Sequence, residues 1–261
     1  MPPSDSPGRA TAARAALERE MLAALTPAFA AFVRGVRADA VAALNAPVLL
    51  ASGPKRRARL SDPFTLASVE TRWQATISAM TVWVNEFLRT PETQVQDYLT
   101  GLAARLAWHD LPMEVFSSVR EVLLQSQAAV WTQAETTAAL SDALSLDTGA
   151  VTRTALDTVE TSGFSFRSVM ERLLRTEATA MFNVVQLGAV RDSGHGFKKW
   201  VAHHDKRTRP THLEASGQVV PNAQDFLVGG YALAYPGDPK GPAHETASCR
   251  CVTVAADRPP G

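Results

Sequence analysis

The sequence has few cysteines, no excess of either charge and no long uncharged apolar run, and each scarcity excludes a class of protein. Two cysteines in 261 residues cannot form a disulfide framework, which excludes a small secreted scaffold. The 26 Lys and Arg residues balance 26 Asp and Glu residues, which excludes a histone-like coat because counterion release needs clustered positive charge. Charges interrupt the apolar runs before about 18 residues, so we expect no membrane span. The first nine residues also lack the basic start and apolar run of a secretory signal. We therefore expect a protein that works in a reducing compartment or inside an assembly.

Proline and glycine are distributed unevenly along the chain. Between Met113 and Arg209 there is no proline and glycine is sparse, whereas the segment from Gly217 to Pro242 holds five glycines and four prolines. Helices need the first composition and tolerate the second poorly. The sequence therefore predicts an α+β protein with a long, mainly helical N-terminal two-thirds, ending near residue 193. A small C-terminal α+β module with short strands should follow.

Apolar residues recur at helical spacing in two segments of the N-terminal two-thirds. The first set is Val115, Phe116, Val119, Val122 and Leu123, and the second is Phe166, Met170, Leu173, Leu174, Met181 and Val185. Residues 10–45 are alanine-rich, which favours a helix, although Pro27 should kink or split it. Pro91 and Pro112 suit the first turns of further helices.

These patterns divide the chain into four parts. We predict a disordered tail at residues 1–9, a helical region at 10–162 with a linker near 47–63, a C-terminal domain at 163–254, and a tail at 255–261. The linker holds a basic run made of Lys55, Arg56, Arg57 and Arg59. This run is either a contact for nucleic-acid phosphates or an acidic partner, or a solvated loop.

The most informative pattern lies at residues 198–252. Asp205 opens a charged turn in which its carboxylate can cap backbone amides and pair with Arg207 or Arg209. His212 follows at a spacing that places it near Arg209 if the turn is helical. Downstream, a Tyr-Pro-Gly-Asp-Pro run is a strong turn signal, and a Cys-Arg-Cys run leads into a final apolar strand.

Histidine and cysteine are concentrated in the same region, since five of the six histidines lie at residues 195–244. Acid–base or Cys–His chemistry is conceivable, but HExxH, GxSxG and phosphate-binding glycine motifs are absent, so we expect no enzyme. Cys249 and Cys251, together with His212 and His244, offer the ligand types that zinc prefers. The alternative is a pair of small buried thiols with unrelated histidines. Because the spacing is not that of a zinc finger, we expect no cofactor, with zinc as the alternative.

Taken in order, these residues resemble the phage head morphogenesis domain, the minor head protein family typified by phage Mu protein F. The resemblance is carried by Trp200, Asp205, Arg207, Thr208, Arg209, His212, Gly217, Phe226, Tyr235, Pro236, Gly237, Asp238, Cys249, Arg250 and Cys251. Upstream, Arg175-Thr176-Glu177 followed by Phe182 and Asn183 resembles the segment that precedes this motif in the family. The resemblance covers about residues 164–254. One departure is Ser248, where family members often carry asparagine.

The resemblance implies a minor structural protein of a tailed-phage head or phage-like particle, with its motif residues structural rather than catalytic. The protein would dock at the portal vertex or the capsid interior and assist head assembly, DNA packaging or ejection. Its partners would be the portal protein, the major capsid protein or both, and no small-molecule substrate is expected. We expect it in the virion or procapsid head near the portal vertex, and in the host cytoplasm during assembly. The helical region at 10–162 would supply the docking surface.

A non-specific DNA contact is a further expectation, through Arg207, Arg209, Lys198, Lys199 and the cations of the linker. Two other hypotheses stay open. One is a zinc-stabilised DNA-binding adaptor. The other is an enzyme or toxin module, because domains of this family also occur in fused toxin-like proteins.

Overall fold

The computed structural model describes residues 6–45, 64–88, 96–98, 100–102, 111–144 and 166–257. Long helices come first, and the described ones are α1 (Pro7–Asn45), α2 (Leu66–Phe87), α3 (Leu111–Ala128), α4 (Gln133–Ala143) and α5 (Phe166–Asp192). Residues 96–98 and 100–102 are also helical. Short elements follow: β1 (Phe197–Val201), α6 (Pro210–Ala215), β2 (Val219–Pro221), β3 (Phe226–Val228), β4 (Tyr231–Leu233), α7 (Ala243–Thr246) and β5 (Val252–Ala256). This order confirms the predicted α+β class and the end of the helical part near residue 193.

Helix α1 begins within the predicted tail and continues past Pro27. The helix begins at Pro7, a residue type that suits the first helical position, so residues 7–9 form its first turn rather than part of a tail. Pro27 lies inside the helix without splitting it. Leu25 and Phe29, on either side of Pro27, are both buried. Their packing outweighs the backbone hydrogen bond that the proline removes.

The same helix is long and apolar enough, by length and composition alone, to be a candidate membrane span over Pro7–Ala43. We expected charged residues to leave no segment apolar enough to cross a membrane. That expectation is too strict, because one 18-residue stretch of this helix is apolar enough despite its charges. About a third of that stretch is buried, and the buried side chains include Met21, Phe29, Phe32 and Val36. A core helix passes this test as readily as a membrane helix does, so the absence of a span stays a prediction.

Helix α3 has the predicted proline in its first turn and the predicted apolar face, and α4 has a capping box that was not predicted. Pro112 is the second residue of α3, and Val115, Val119 and Leu123 form its buried face. Helix α4 begins after a capping box: Thr132 accepts a hydrogen bond from the backbone of Glu135, whose carboxylate accepts one from the Thr132 amide. The linker near 47–63, its basic run and Pro91 lie outside the described residues.

The chain divides into two compact units. The first comprises Met1–Ala24, Val84–Leu102 and Glu171–Gly261, and the second comprises Leu25–Trp83 and Ala103–Met170. In the second unit, Trp73 packs against Phe29 and Phe32 with ring centroids 5.9 and 5.7 Å apart. The first unit contains the entire C-terminal module.

The strands of the C-terminal module form two small antiparallel sheets. One has the order β2-β1-β5, and the other is the β3-β4 hairpin. Strand β5 pairs along the whole of β1, and Ala256 lies opposite Phe197. Residues 255–256, predicted as tail, are therefore strand, because the β1 backbone offers them partners. The module's core is formed by Trp200, Ala202, Ala215, Val220, Phe226, Val228, Leu233, Cys249 and Cys251.

Candidate functional site

The Arg-Thr-Glu segment of α5 joins the helix to other parts of the first unit. Arg175 donates to Glu18 at 2.7 Å, and the Glu177 carboxylate accepts from the Tyr98 hydroxyl at 2.7 Å. Between them, Thr176 accepts a hydrogen bond from the backbone of Ser248 at 2.8 Å. Each residue of the segment therefore makes a long-range contact.

Asn183, nearly two turns further along α5, is completely buried and binds the edge of the module's sheet. Its amide nitrogen lies 3.0 Å from the carbonyl oxygen of Pro236 and 3.1 Å from that of Cys251. Its side-chain oxygen accepts from the Thr253 amide at 2.7 Å. Because Cys251 and Thr253 are two residues apart on the free edge of the sheet, this side chain takes the place of a neighbouring strand. Asn183 belongs to the segment that carries the resemblance, but nothing in its sequence context indicates this role.

The charged turn is organised by Asp205, but its main partner is not one of those predicted. Asp205 caps the Arg207 amide at 2.9 Å, as expected. Its two carboxylate oxygens accept from both terminal nitrogens of Arg250, each at 2.6 Å. Hydrogen bonds from Arg250 hold the pKa of Asp205 well below its usual value. The turn is thereby tied to the Cys-Arg-Cys run 45 residues away.

The other residues of the turn have separate roles. The exposed Arg207 side chain forms the predicted ion pair with Asp205, with its Nε atom 3.8 Å from Oδ2. The Thr208 hydroxyl donates to the carbonyl of His203. Arg209 donates to the carbonyl of Ala247 at 2.6 Å instead of pairing with Asp205. The backbone amide of His212 donates to the Arg209 carbonyl at 3.1 Å, so these residues are adjacent as predicted.

The Tyr-Pro-Gly-Asp run forms a buried turn against α5. Asp238 accepts hydrogen bonds from the amides of Ala234 and Lys240 at 2.8 and 3.0 Å. Gly237 has φ +81°, and a Cβ there would lie 3.1 Å from the Ala180 nitrogen. The glycine is needed both for its left-handed backbone and for this close approach. Tyr235 and Pro236, which precede the glycine, are also buried.

Two further backbone positions bear on the motif. Gly217, before β2, has φ +92°, which fits the predicted tight turn. Ser248 has φ +53°, a region in which asparagine is favoured over other residues with a side chain. The backbone at residue 248 therefore suits the asparagine that members of the resembled family often carry at this position.

A candidate metal centre lies in the core of the module. One ligand atom each from His212, Cys249 and Cys251 lie within 4.8 Å of one another, and all three residues are about 2 % exposed. The Nδ1 atom of His212 is 3.3 Å from the Cys251 sulfur and 3.6 Å from the Cys249 sulfur. Both thiols are free. His244, predicted as a fourth ligand, is not in this group, because its ring lies against Tyr231 on the exposed side of α7.

The two thiols differ in their affinity for a proton. A hydrogen bond from Cys249, assisted by His212, lowers the pKa of Cys251 to about 5 despite its burial. The same hydrogen bond, together with burial, raises the pKa of Cys249. Cys251 therefore gives up its proton more readily than Cys249, and the thiolate is the form in which cysteine binds metals.

Of the two lysines predicted to contact DNA in β1, one is unavailable. Lys198 is 1 % exposed, and its ammonium donates to the Ala234 carbonyl at 2.7 Å above the ring of Phe226. Burial lowers its pKa to about 8, against the attraction of Asp225. The strand alternation that turns Trp200 inward also turns Lys198 inward. Lys199, on the opposite face, is partly exposed.

Comparisons of the chain with family models, with curated proteins and with solved structures found no match.

Proposed function

We propose that this chain is a minor structural protein of a tailed-phage head or phage-like particle, docked at the portal vertex or the capsid interior. The observation that carries the proposal is the pairing of Asp205 with Arg250, which joins two pieces of the motif that are far apart in sequence. Asn183 and Thr176 add contacts from the upstream segment. Polar side chains used in this way hold a module together, which supports a structural role over a catalytic one.

Exposed apolar side chains of the second unit support the docking role. Val82, Met113, Leu124 and Val130 are 58, 49, 41 and 86 % exposed. Val130 is also in the left-handed region, with φ +55°, an unfavourable conformation for a β-branched residue. A valine that is both exposed and in this conformation does not stabilise the isolated chain. We therefore assign Val130 to the surface that docks on the partner.

The proposal is tested by co-sedimentation with the portal protein from the same genome, at low and at high salt. Retention at high salt is expected, because docking through apolar side chains is not screened by ions. Loss of portal binding at high salt, with DNA still bound, would favour the DNA-binding adaptor instead. Binding to neither partner, in assays that include the major capsid protein, would contradict the structural role.

The variant Val130→Asn separates docking from folding. Asparagine tolerates a left-handed backbone better than valine, so the free energy of unfolding should not fall. If Val130 contacts the portal, retention should weaken even though the chain remains folded. Equal retention of the variant and the unaltered chain would exclude Val130 from the docking surface.

The ion that best fits the candidate metal centre is zinc, and we propose a Zn²⁺ there, bound by the three side chains of the described residues that meet at the site. In a tetrahedral site with Zn–S and Zn–N bonds of ordinary length, the nitrogen lies about 3.6 Å from each sulfur. The nitrogen–sulfur distances of 3.3 and 3.6 Å are close to that value. Purified full-length protein should contain one zinc per chain, measured by elemental analysis, and removal by a chelator should lower its melting temperature.

The DNA-binding adaptor is less well supported than the structural role. Among the residues that the structure describes, Lys198 cannot contact phosphate while it is buried, so DNA binding would fall to Lys199, the exposed Arg207 and the linker cations. The slope of log affinity against log salt is then expected to be about one unit shallower than if Lys198 also contacted phosphate.

A further inference from the structure

Glu245 is a buried carboxylate beside the candidate metal centre, and neither the motif nor the predicted ligand set includes it. It is 5 % exposed and lies on α7, whereas His212 lies on α6. Its Oε2 atom is 3.0 Å from Nε2 of His212, on the side of the ring opposite the thiols. Burying a carboxylate is costly unless it is hydrogen-bonded, so the hydrogen bond to His212 is needed to stabilise Glu245 in this position.

The surroundings of Glu245 keep the carboxylate in this position. The Thr211 hydroxyl donates to the same Oε2 atom at 2.9 Å. On the other side, a Cβ at residue 229 would lie 2.3 Å from Oε1, so the carboxylate occupies space that only a glycine leaves open. Gly229 has φ +57°, which a glycine adopts without strain. The carboxylate is therefore confined between Thr211, Gly229 and the imidazole.

The chemistry of imidazole gives this contact a consequence for metal binding. A neutral histidine carries its proton on one ring nitrogen and a lone pair on the other. An ionised carboxylate accepts hydrogen bonds only, so a neutral imidazole facing Glu245 must carry its proton on Nε2. In that neutral ring the lone pair lies on Nδ1, the atom that faces both sulfurs, where a bound metal ion would replace any hydrogen bond from His212 to Cys251.

We propose that Glu245 is the positioning residue of the metal centre, selecting the tautomer of His212 in which Nδ1 binds Zn²⁺ beside Cys249 and Cys251. This inference rests on the zinc proposed above. A carboxylate on the outer nitrogen of a metal-bound histidine orients the ring and makes the inner nitrogen a better ligand. Loss of such a partner typically weakens metal binding about 10- to 100-fold.

The test measures the Zn²⁺ dissociation constant of the full chain by competition with a chromophoric chelator. Glu245→Gln retains an oxygen that can accept from Nε2 but removes the negative charge, whereas Glu245→Ala removes both. We expect zinc affinity to fall about 10-fold in the first variant and about 100-fold in the second. Glu214→Gln is the matched control, since it makes the same change at an exposed position of α6, and its affinity should be unchanged.

A second measurement needs no substitution. In protein with ¹⁵N-labelled histidine, the resonance that responds to one equivalent of Zn²⁺ should belong to a ring bound through Nδ1 and protonated on Nε2. This readout keeps the proposal open to refutation even if the Glu245 variants fail to fold, which circular dichroism would reveal, because binding through Nε2 would overturn it.

The outcomes separate this inference from the zinc proposal. If the unaltered chain binds zinc, binding through Nε2, or folded Glu245 variants within threefold of the control, would overturn the role of Glu245 and leave the zinc centre standing. If the unaltered chain binds no zinc, the metal centre itself is wrong, and the inference fails with it. Both the zinc centre and the role of Glu245 would be supported if Glu245→Ala binds zinc most weakly, Glu245→Gln less weakly and the control normally, and if zinc binds through Nδ1.

Discussion

Replacing Asn183 with leucine tests how the C-terminal module is held against α5. Leucine has nearly the same shape as asparagine, so the change removes hydrogen bonds without leaving a large cavity. The carbonyls of Pro236 and Cys251 and the amide of Thr253 would each lose the partner that Asn183 provides. The carbonyl of Thr179, the fourth partner, lies within the same helix one turn earlier and keeps its helical hydrogen bond.

The size of the effect follows from these three buried groups. A buried backbone group left without a partner costs about 1–3 kcal/mol, and the burial of a leucine recovers part of the total. We therefore expect the module to be destabilised by about 4 kcal/mol, which corresponds to a factor of about 1,000 in its opening equilibrium.

Hydrogen exchange followed by mass spectrometry measures this opening in the module itself. Amides of Val252–Ala256 should exchange about 1,000-fold faster in the Asn183→Leu variant, or at the unprotected rate if the module no longer folds. Gln186→Met is the control, because Gln186 is also buried on α5 but its amide nitrogen has no partner among the described residues. The control should change exchange less than threefold. A change below fivefold in Asn183→Leu would refute the proposed anchoring.

Three smaller predictions concern the turns around the metal centre. Ser248→Asn should raise the free energy of unfolding in urea by about 0.5 kcal/mol, because asparagine is better suited than serine to φ +53°; no increase would count against backbone strain there. Gly229→Ala should lower the free energy of unfolding by about 1–3 kcal/mol, since the new Cβ would displace Glu245 from His212. An unchanged unfolding midpoint would argue against the confinement of the Glu245 carboxylate by Gly229. The pKa of Asp205 is lowered in the folded chain by hydrogen bonds from Arg250, so its contribution to stability is present above its ordinary pKa of 3.8 and is lost as the pH falls below it. Acid unfolding of Arg250→Gln should show a weaker dependence on pH in that range, and identical pH profiles would contradict the pairing.

Much of the local structure could be predicted from the sequence because it depends on neighbouring residues. Helical periodicity and the scarcity of proline and glycine placed the end of α5 close to Asp192, where it is observed. Gly217 adopts a positive φ before β2, and the Cys-Arg-Cys run leads into β5, both as predicted. The resemblance to a head protein family remains a prediction, as does the function that it implies.

The partners of the charged and polar side chains were decided by the tertiary structure. Asp205 forms the predicted ion pair with Arg207, two residues away, at 3.8 Å. Packing adds a closer partner that the sequence did not indicate, Arg250, whose planar guanidinium matches both carboxylate oxygens. Likewise, His244 and Glu245 are adjacent in sequence, yet α7 turns the histidine outward and buries the carboxylate against His212. Sequence spacing determines the turn or helix to which a residue belongs. Which distant group it meets depends on how those elements pack, because long-range contacts form only where the core brings two surfaces together.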